Sequence, residues 1–219
     1  MRNGIQHIFS TLKKYALLNV TLILFVSYCV ALLCVASYYC YPNAEDLLIA
    51  SDVRNLGSLA SIKQSLIQTD GRYFSNFLCT LSPLVYLNIS FYKFVPIISC
   101  TAWVIAFVFL LNQIFIFKHK GSITLIVVSV LMIYLDLVDS LPHILFWMSS
   151  SFVFFTGWIF YFLWTGFFLK AYFSNTEPQR FTYYFLSTIL LFFSMGINEL
   201  HSFLNMLTHF YYRNTFVFI

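Results

Sequence analysis

The sequence predicts an all-α fold: a polytopic transmembrane helix bundle of about 5–7 spans, with amphipathic juxtamembrane helices in the first outer loop. Three observations predict it. Of 219 residues, 60% are apolar and only 9% are charged, against about 45–50% and 25% in ordinary soluble domains. The apolar residues gather in several runs that approach or exceed the roughly 20 residues needed to cross a bilayer. The one long polar segment, residues 42–72, follows the first of these runs. Mean hydropathy is +0.82. Twelve Lys and Arg with eight Asp and Glu are too few to cover the surface of a soluble domain. Soluble enzymes, nucleic-acid binders and secreted disulfide scaffolds are thereby excluded, and the whole of 1–219 reads as a single transmembrane domain.

The first run, residues 16–41, follows Lys13-Lys14 and carries no charge. It is too long for the 7–15-residue core of a signal peptide, and Leu33 before Cys34 does not suit a lipobox. It reads as an uncleaved span with residues 1–15 in the cytoplasm. Further runs cover 94–117, 123–141, 152–173 and 181–197, with a weaker one over 200–219. Residues 73–92 are long enough to span but hold Ser75, Asn76, Thr80, Ser82, Pro83, Asn88 and Ser90. A full span there would place Lys118-His119-Lys120 outside, against the positive-inside tendency. A re-entrant or interfacial helix places that cluster inside, and polar helix at membrane depth is tolerated where protein or a water-filled cavity covers it. The second reading is preferred.

With that topology the acids sort by face. Glu45, Asp46, Asp52 and Asp70 fall in the first outer loop, Asp136, Asp139 and Glu199 near outer helix ends, and only Glu177 in the cytoplasm. Seven of the eight carboxylates thus meet at one face. Acids contribute little to the positive-inside tendency, so either a functional cleft or plain solvation of an outer loop accounts for the sorting. Seven glycines are few for close small-residue helix packing. The five cysteines show no Cys-x-x-Cys spacing, which supports neither a disulfide framework nor a metal knuckle.

Within the outer loop, apolar residues at 48, 49, 53, 56, 59, 62 and 66 follow helical spacing broken near Gly57. This predicts two short amphipathic helices. Asn43 suits the N-cap, and Glu45-Asp46 would sit in the first turn, where the helix dipole favours anions. Arg72, after Gly71, stands at the next membrane entry. There it reads either as a phosphate contact, since its fork matches phosphate bidentately, or as an interfacial arginine paired with Asp70.

An acidic pair after the first span, amphipathic juxtamembrane helices and then Gly71-Arg72-Tyr73 resemble the GT-C superfamily of membrane glycosyltransferases, with bacterial glucosyltransferase-like multispanning proteins as the nearer likeness. Trp147 before Ser149-Ser150-Ser151, and Gly196-Ile197-Asn198-Glu199, extend the resemblance. The family's pair is Asp-Asp followed by an aromatic; here it is Glu45-Asp46-Leu47. Members of the superfamily are longer, so the resemblance implies a partial member. It also implies a bacterial inner-membrane location and transfer of a sugar from a polyprenyl-phosphate donor to a hydroxyl of an acceptor glycan or lipid. Asp46 would be the general base, and Glu45 its helper or a ligand of a divalent metal ion. Arg72, or secondly Arg54, would hold the phosphate.

Other polar groups are candidates for lining the same cleft. Asp139, His143 and Trp147 share one helical face at four-residue spacing, with Pro142 as the possible break. Trp147 reads as an interfacial belt residue or a sugar-stacking one. Asn198 and His201 begin a polar stripe beside Glu199, for which structural hydrogen bonding is favoured over metal ligation. Two other functions remain open: a noncatalytic scaffold, and a transporter or lipid flippase subunit. Against the latter, the sequence shows neither an internal repeat nor a mid-span cation.

Overall fold

The structure is a computed structural model that describes residues 20–21, 23–68, 72–115, 120–137 and 145–197. The expectations for residues 1–15, Asp70-Gly71, Lys118-His119, Asp139, His143, Asn198, Glu199, His201 and the run 200–219 lie outside the described residues. Among the described residues all regular structure is helical.

Among the described residues, two helices are long and apolar enough to cross a membrane. One is α8, Met148–Tyr172, with 25 residues and a rise of about 37 Å. The other is Ile89–Ile114, made of the short α5 (Ile89–Tyr92) and α6 (Val95–Ile114). Two further apolar helices are shorter over the described residues: α1, Ile23–Tyr38, and α7, Lys120–Leu137. The last helix among the described residues is α9, Glu177–Met195. A bundle of five to seven spans is therefore met only in its helical character and in these two helices.

Helix α8 is the centre of the packing. Along α6 its contacts run in parallel register, from Ser99 Oγ with Ser151 Oγ at 3.4 Å, through the Trp103 and Phe162 rings, to Phe109 against Phe167. Along α9 the register is antiparallel, from Phe160 with Phe193 to Phe168 with Tyr184. Trp103, Phe107 and Phe162 form a buried aromatic cluster with ring centroids 4.6 to 5.4 Å apart. Such edge-on and offset pairs add about 0.5–1.5 kcal/mol each beyond the area they bury. Outward, α1 and α9 present large apolar side chains: Ile23, Leu24 and Val35 on one, Phe181, Phe185 and Phe192 on the other, all more than half exposed. A contiguous apolar exterior of this kind marks a surface made for lipid or partner contact.

The polar segment expected as an outer loop forms α2 (Ala44–Leu56) and α3 (Ser58–Gln68). Asn43 is the N-cap of α2, its Oδ1 accepting the Asp46 N–H at 2.6 Å. Gly57 ends the helix with φ of 84°, a backbone conformation that other residues adopt only with strain. Residues 73–92 break into α4 (Tyr73–Thr80), a 3-10 turn (Pro83–Tyr86) and α5. Eight residues of α4 rise about 12 Å, well short of a hydrocarbon core of about 30 Å.

Gly196 fixes the start of α4. Its carbonyl accepts the Phe74 N–H at 2.9 Å, capping an open donor of that helix. A Cβ placed there would lie 2.3 Å from the Tyr73 ring, which is itself held by Phe192 and by a hydroxyl bond to the Phe192 carbonyl. Gly196 has an ordinary φ of −85°, so the position demands space rather than backbone freedom. Gly196→Ala should lower stability by about 1–3 kcal/mol, the range for overpacking. Thermal unfolding in detergent checks this, and the loss should shrink in a Tyr73→Leu background, where the obstructing ring is gone.

Candidate functional site

The site grows from where α2 meets the start of α8. Asp46, in the first turn of α2, is only 4% exposed. Its Oδ1 accepts the Ser149 N–H at 2.9 Å and its Oδ2 the Met148 N–H at 3.2 Å. These are the first two residues of α8, whose N-cap Trp147 supplies no side-chain cap. The first turn of a helix leaves its N–H groups without intrahelical partners, and its dipole attracts an anion. Asp46 meets both demands from another element of the chain.

Tyr92 completes the junction. It is 1% exposed, and its hydroxyl donates to Asp46 Oδ2 at 2.6 Å, with the Phe146 carbonyl 2.9 Å away. The Phe146 carbonyl also receives the Cys40 thiol at 3.2 Å. Cys40, Ala50, Leu84, Val95 and Met148 pack around Tyr92, so the polar contacts are shielded from water. Nearby, the Lys93 ammonium lies 4.6 Å from the Tyr38 ring and 5.2 Å from the Tyr41 ring. That arrangement ties the end of α1 to the start of α6.

A cavity of about 290 Å³ opens beside this junction. Glu45 and Ile49 of α2, Arg72, Ser75, Asn76 and Cys79 at α4, and Ser149 and Ser150 of α8 supply most of its wall. The structure thus brings together Glu45 and Arg72, which the sequence separates by a loop. Ser149 Oγ is buried with no hydrogen-bond partner. A buried hydroxyl left unmatched is costly, and this one is enclosed behind the cavity surface. Asp46 stands behind this wall. The space at its own side, between Ile49, Cys79 and Met148, is about 10 Å³, room for at most one water.

Besides Asp46, two expected residues are not in the cavity wall. Arg54 is exposed in the last turn of α2, where its Nε donates to the Ala50 carbonyl at 3.3 Å. Trp147 is the N-cap of α8. Glu45 and Asp46 do not make a metal pair: both Asp46 oxygens face N–H or O–H donors. Among the described residues, no three His, Cys, Asp or Glu side chains come together to hold a metal.

Sequence reasoning missed Tyr92, which lies in an aromatic stretch with nothing to distinguish it, and it treated Asp46 as an open group. Comparison with protein-family models, with curated proteins and with solved structures finds no match for this chain.

Proposed function

We propose that this chain is an integral membrane protein of the GT-C glycosyltransferase type, with its site at the extracytoplasmic face of a bacterial inner membrane and its N-terminus in the cytoplasm. The carrying observation is that Glu45 and Arg72 line one cavity with the first serines of α8. The two membrane-length helices and the apolar exterior of α1 and α9 support the membrane setting. In this reading α1, α7 and α9 are spans as well.

The reaction breaks the bond between the sugar's anomeric carbon and the oxygen of the polyprenyl phosphate. An acceptor hydroxyl forms the new bond and gives up its proton. An alcohol is a weak nucleophile, so a carboxylate within hydrogen-bonding reach takes that proton in the transition state. The base in this proposal is Glu45 rather than Asp46, because Glu45 is exposed to the cavity while Asp46 is buried under three donors. The departing phosphate gains negative charge. In this reading the Arg72 guanidinium meets that charge, and donors fixed in advance at developing charge are a large source of catalysis. No step is assigned to a metal.

Arg72→Gln tests the phosphate contact directly. Binding of a polyprenyl phosphate in phosphatidylcholine vesicles should weaken about 10- to 150-fold, the worth of a charged hydrogen-bonding group, with Arg72→Lys in between. Equal binding by all three proteins would remove the phosphate from this cavity. Such a result would favour the scaffold reading.

A further inference from the structure

A second concavity lies away from the polar cavity, between α1, α6 and α7. It has two adjoining compartments of about 280 and 200 Å³. Both are walled by Cys29, Leu33, Cys100, Leu131 and Met132. Their remaining walls diverge in a consistent order. The larger compartment continues to Ala36 on α1 and Asp136 on α7, where Leu145 and Phe146 close it. The smaller continues the other way, to Val26 on α1, Ile105 on α6 and Thr124 on α7. The two are therefore halves of one elongated groove. From Thr124 to Asp136 the wall of α7 rises about 18 Å, close to one leaflet of a hydrocarbon core about 30 Å thick.

The groove is apolar over almost its entire length and carries one charge, at one end. Unfilled, it would cost its walls the contacts that close packing supplies. Water suits it poorly, because water needs two to four polar partners. A single hydrocarbon chain fits both its length and its lining. The end at Asp136 is also the end that meets Phe146, whose carbonyl belongs to the Asp46 junction. Asp136 is exposed there, so a carboxylate stands where the head of such a chain would emerge. It repels a phosphate or carboxylate head and accepts a hydrogen bond from a hydroxyl or amine.

We infer that the groove between α1, α6 and α7 binds one lipid chain whose head is a hydrogen-bond donor without negative charge. This site is separate from the phosphate cavity, and it stands whether or not the chain transfers sugar. The segment from Leu145 to Ser150 contributes to both concavities.

The test uses the full chain in phosphatidylcholine vesicles, with a diazirine-bearing hexadecanol as photoreactive probe and peptide mapping of the adducts. Adducts should concentrate on residues 26–36 and 124–136. Unlabelled hexadecanol should displace them several-fold better than palmitate, and Asp136→Asn should bring the two competitors level. Leu131→Trp, which fills the shared wall, should cut these adducts several-fold while leaving those on the outward face of α9 unchanged. Met132→Trp, at a half-buried position of the same wall, serves if Leu131→Trp fails to fold. Adducts spread evenly over all apolar faces, or unaltered by the tryptophan variants, would show ordinary boundary lipid and overturn the site. Equal competition by the alcohol and the acid in the unmodified chain would overturn the role of Asp136. Loss of polyprenyl phosphate binding in Arg72→Gln with these adducts retained separates this site from the proposed transferase cavity.

Discussion

Replacing Asp46 with alanine should lower the unfolding temperature by on the order of 10 °C, the largest stability effect expected from a single polar side chain among the described residues. The Tyr92 hydroxyl and the Met148 and Ser149 N–H groups all give their hydrogen bonds to this carboxylate. Each buried donor left without an acceptor costs about 1–3 kcal/mol. Tyr92 escapes part of that loss, since its hydroxyl still reaches the Phe146 carbonyl. The Met148 N–H likewise keeps a longer bond to the Tyr92 hydroxyl at 3.3 Å, so the Ser149 N–H bears the full loss. A net loss of about 3 kcal/mol follows, at about 2–4 °C per kcal/mol for a chain of this size. Asp46→Asn should fall between the wild type and the alanine variant, because one amide oxygen remains while the amide NH2 faces donors. Tryptophan fluorescence during heating in detergent measures all three proteins. An unchanged midpoint in Asp46→Ala would mean that the carboxylate does not hold the start of α8.

Glu45→Gln should do the opposite: leave folding almost untouched and abolish transfer. Glu45 is exposed in the first turn of α2, where losing a charge near the helix dipole costs about 0.3–1 kcal/mol. In the proposed reaction its carboxylate takes the acceptor's proton. Removing a positioned general base lowers turnover about 10²- to 10⁴-fold, and glutamine keeps the shape while losing the basicity. The assay follows sugar transfer from a polyprenyl-phosphate-linked donor, with unfolding temperature measured alongside. Full transfer by Glu45→Gln would sink the assignment of the base. Taken together, the two neighbouring acids then separate cleanly, one by its effect on folding and the other by its effect on rate.

How much of this was legible in the sequence depends on the range of the interaction. The start of α2 was readable because Asn43 and its bond to the Asp46 N–H span three residues. The break between α2 and α3 was readable at Gly57 for the same reason. The polar residues of 73–92 are also explained locally. Ser82 Oγ accepts the Leu84 N–H, Asn88 Oδ1 accepts the Phe91 N–H and Thr80 Oγ1 donates to the Phe77 carbonyl. They start and stop short helices within the stretch. Glu45 and Arg72 were both chosen for their chemistry, and the fold brings them to one cavity. The partners of Asp46 were not legible. They lie 46 to 103 positions away, and two of the three are backbone groups that carry no trace in residue type. The same acid suits a helix's first turn, a catalytic base and a cap for a distant helix, and only tertiary structure distinguishes the last.

The distance between Asp46 and its partners has a consequence for biosynthesis. Asp46 emerges from the ribosome 103 residues before Ser149, an interval of about 5–20 s at a synthesis rate of 5–20 residues per second. Throughout that time the carboxylate has neither of its α8 partners, and hydration is its cheapest state. The α2–α3 segment therefore waits, unlatched, while α6 and α7 are made. Ribosome-bound chains ending before residue 145 should be cut by protease within 44–68 far more readily than the finished protein. Equal cleavage would show that the loop settles without α8. By this account the docking of Asp46 is a late event in maturation, and the start of α8 closes a latch set by the start of α2.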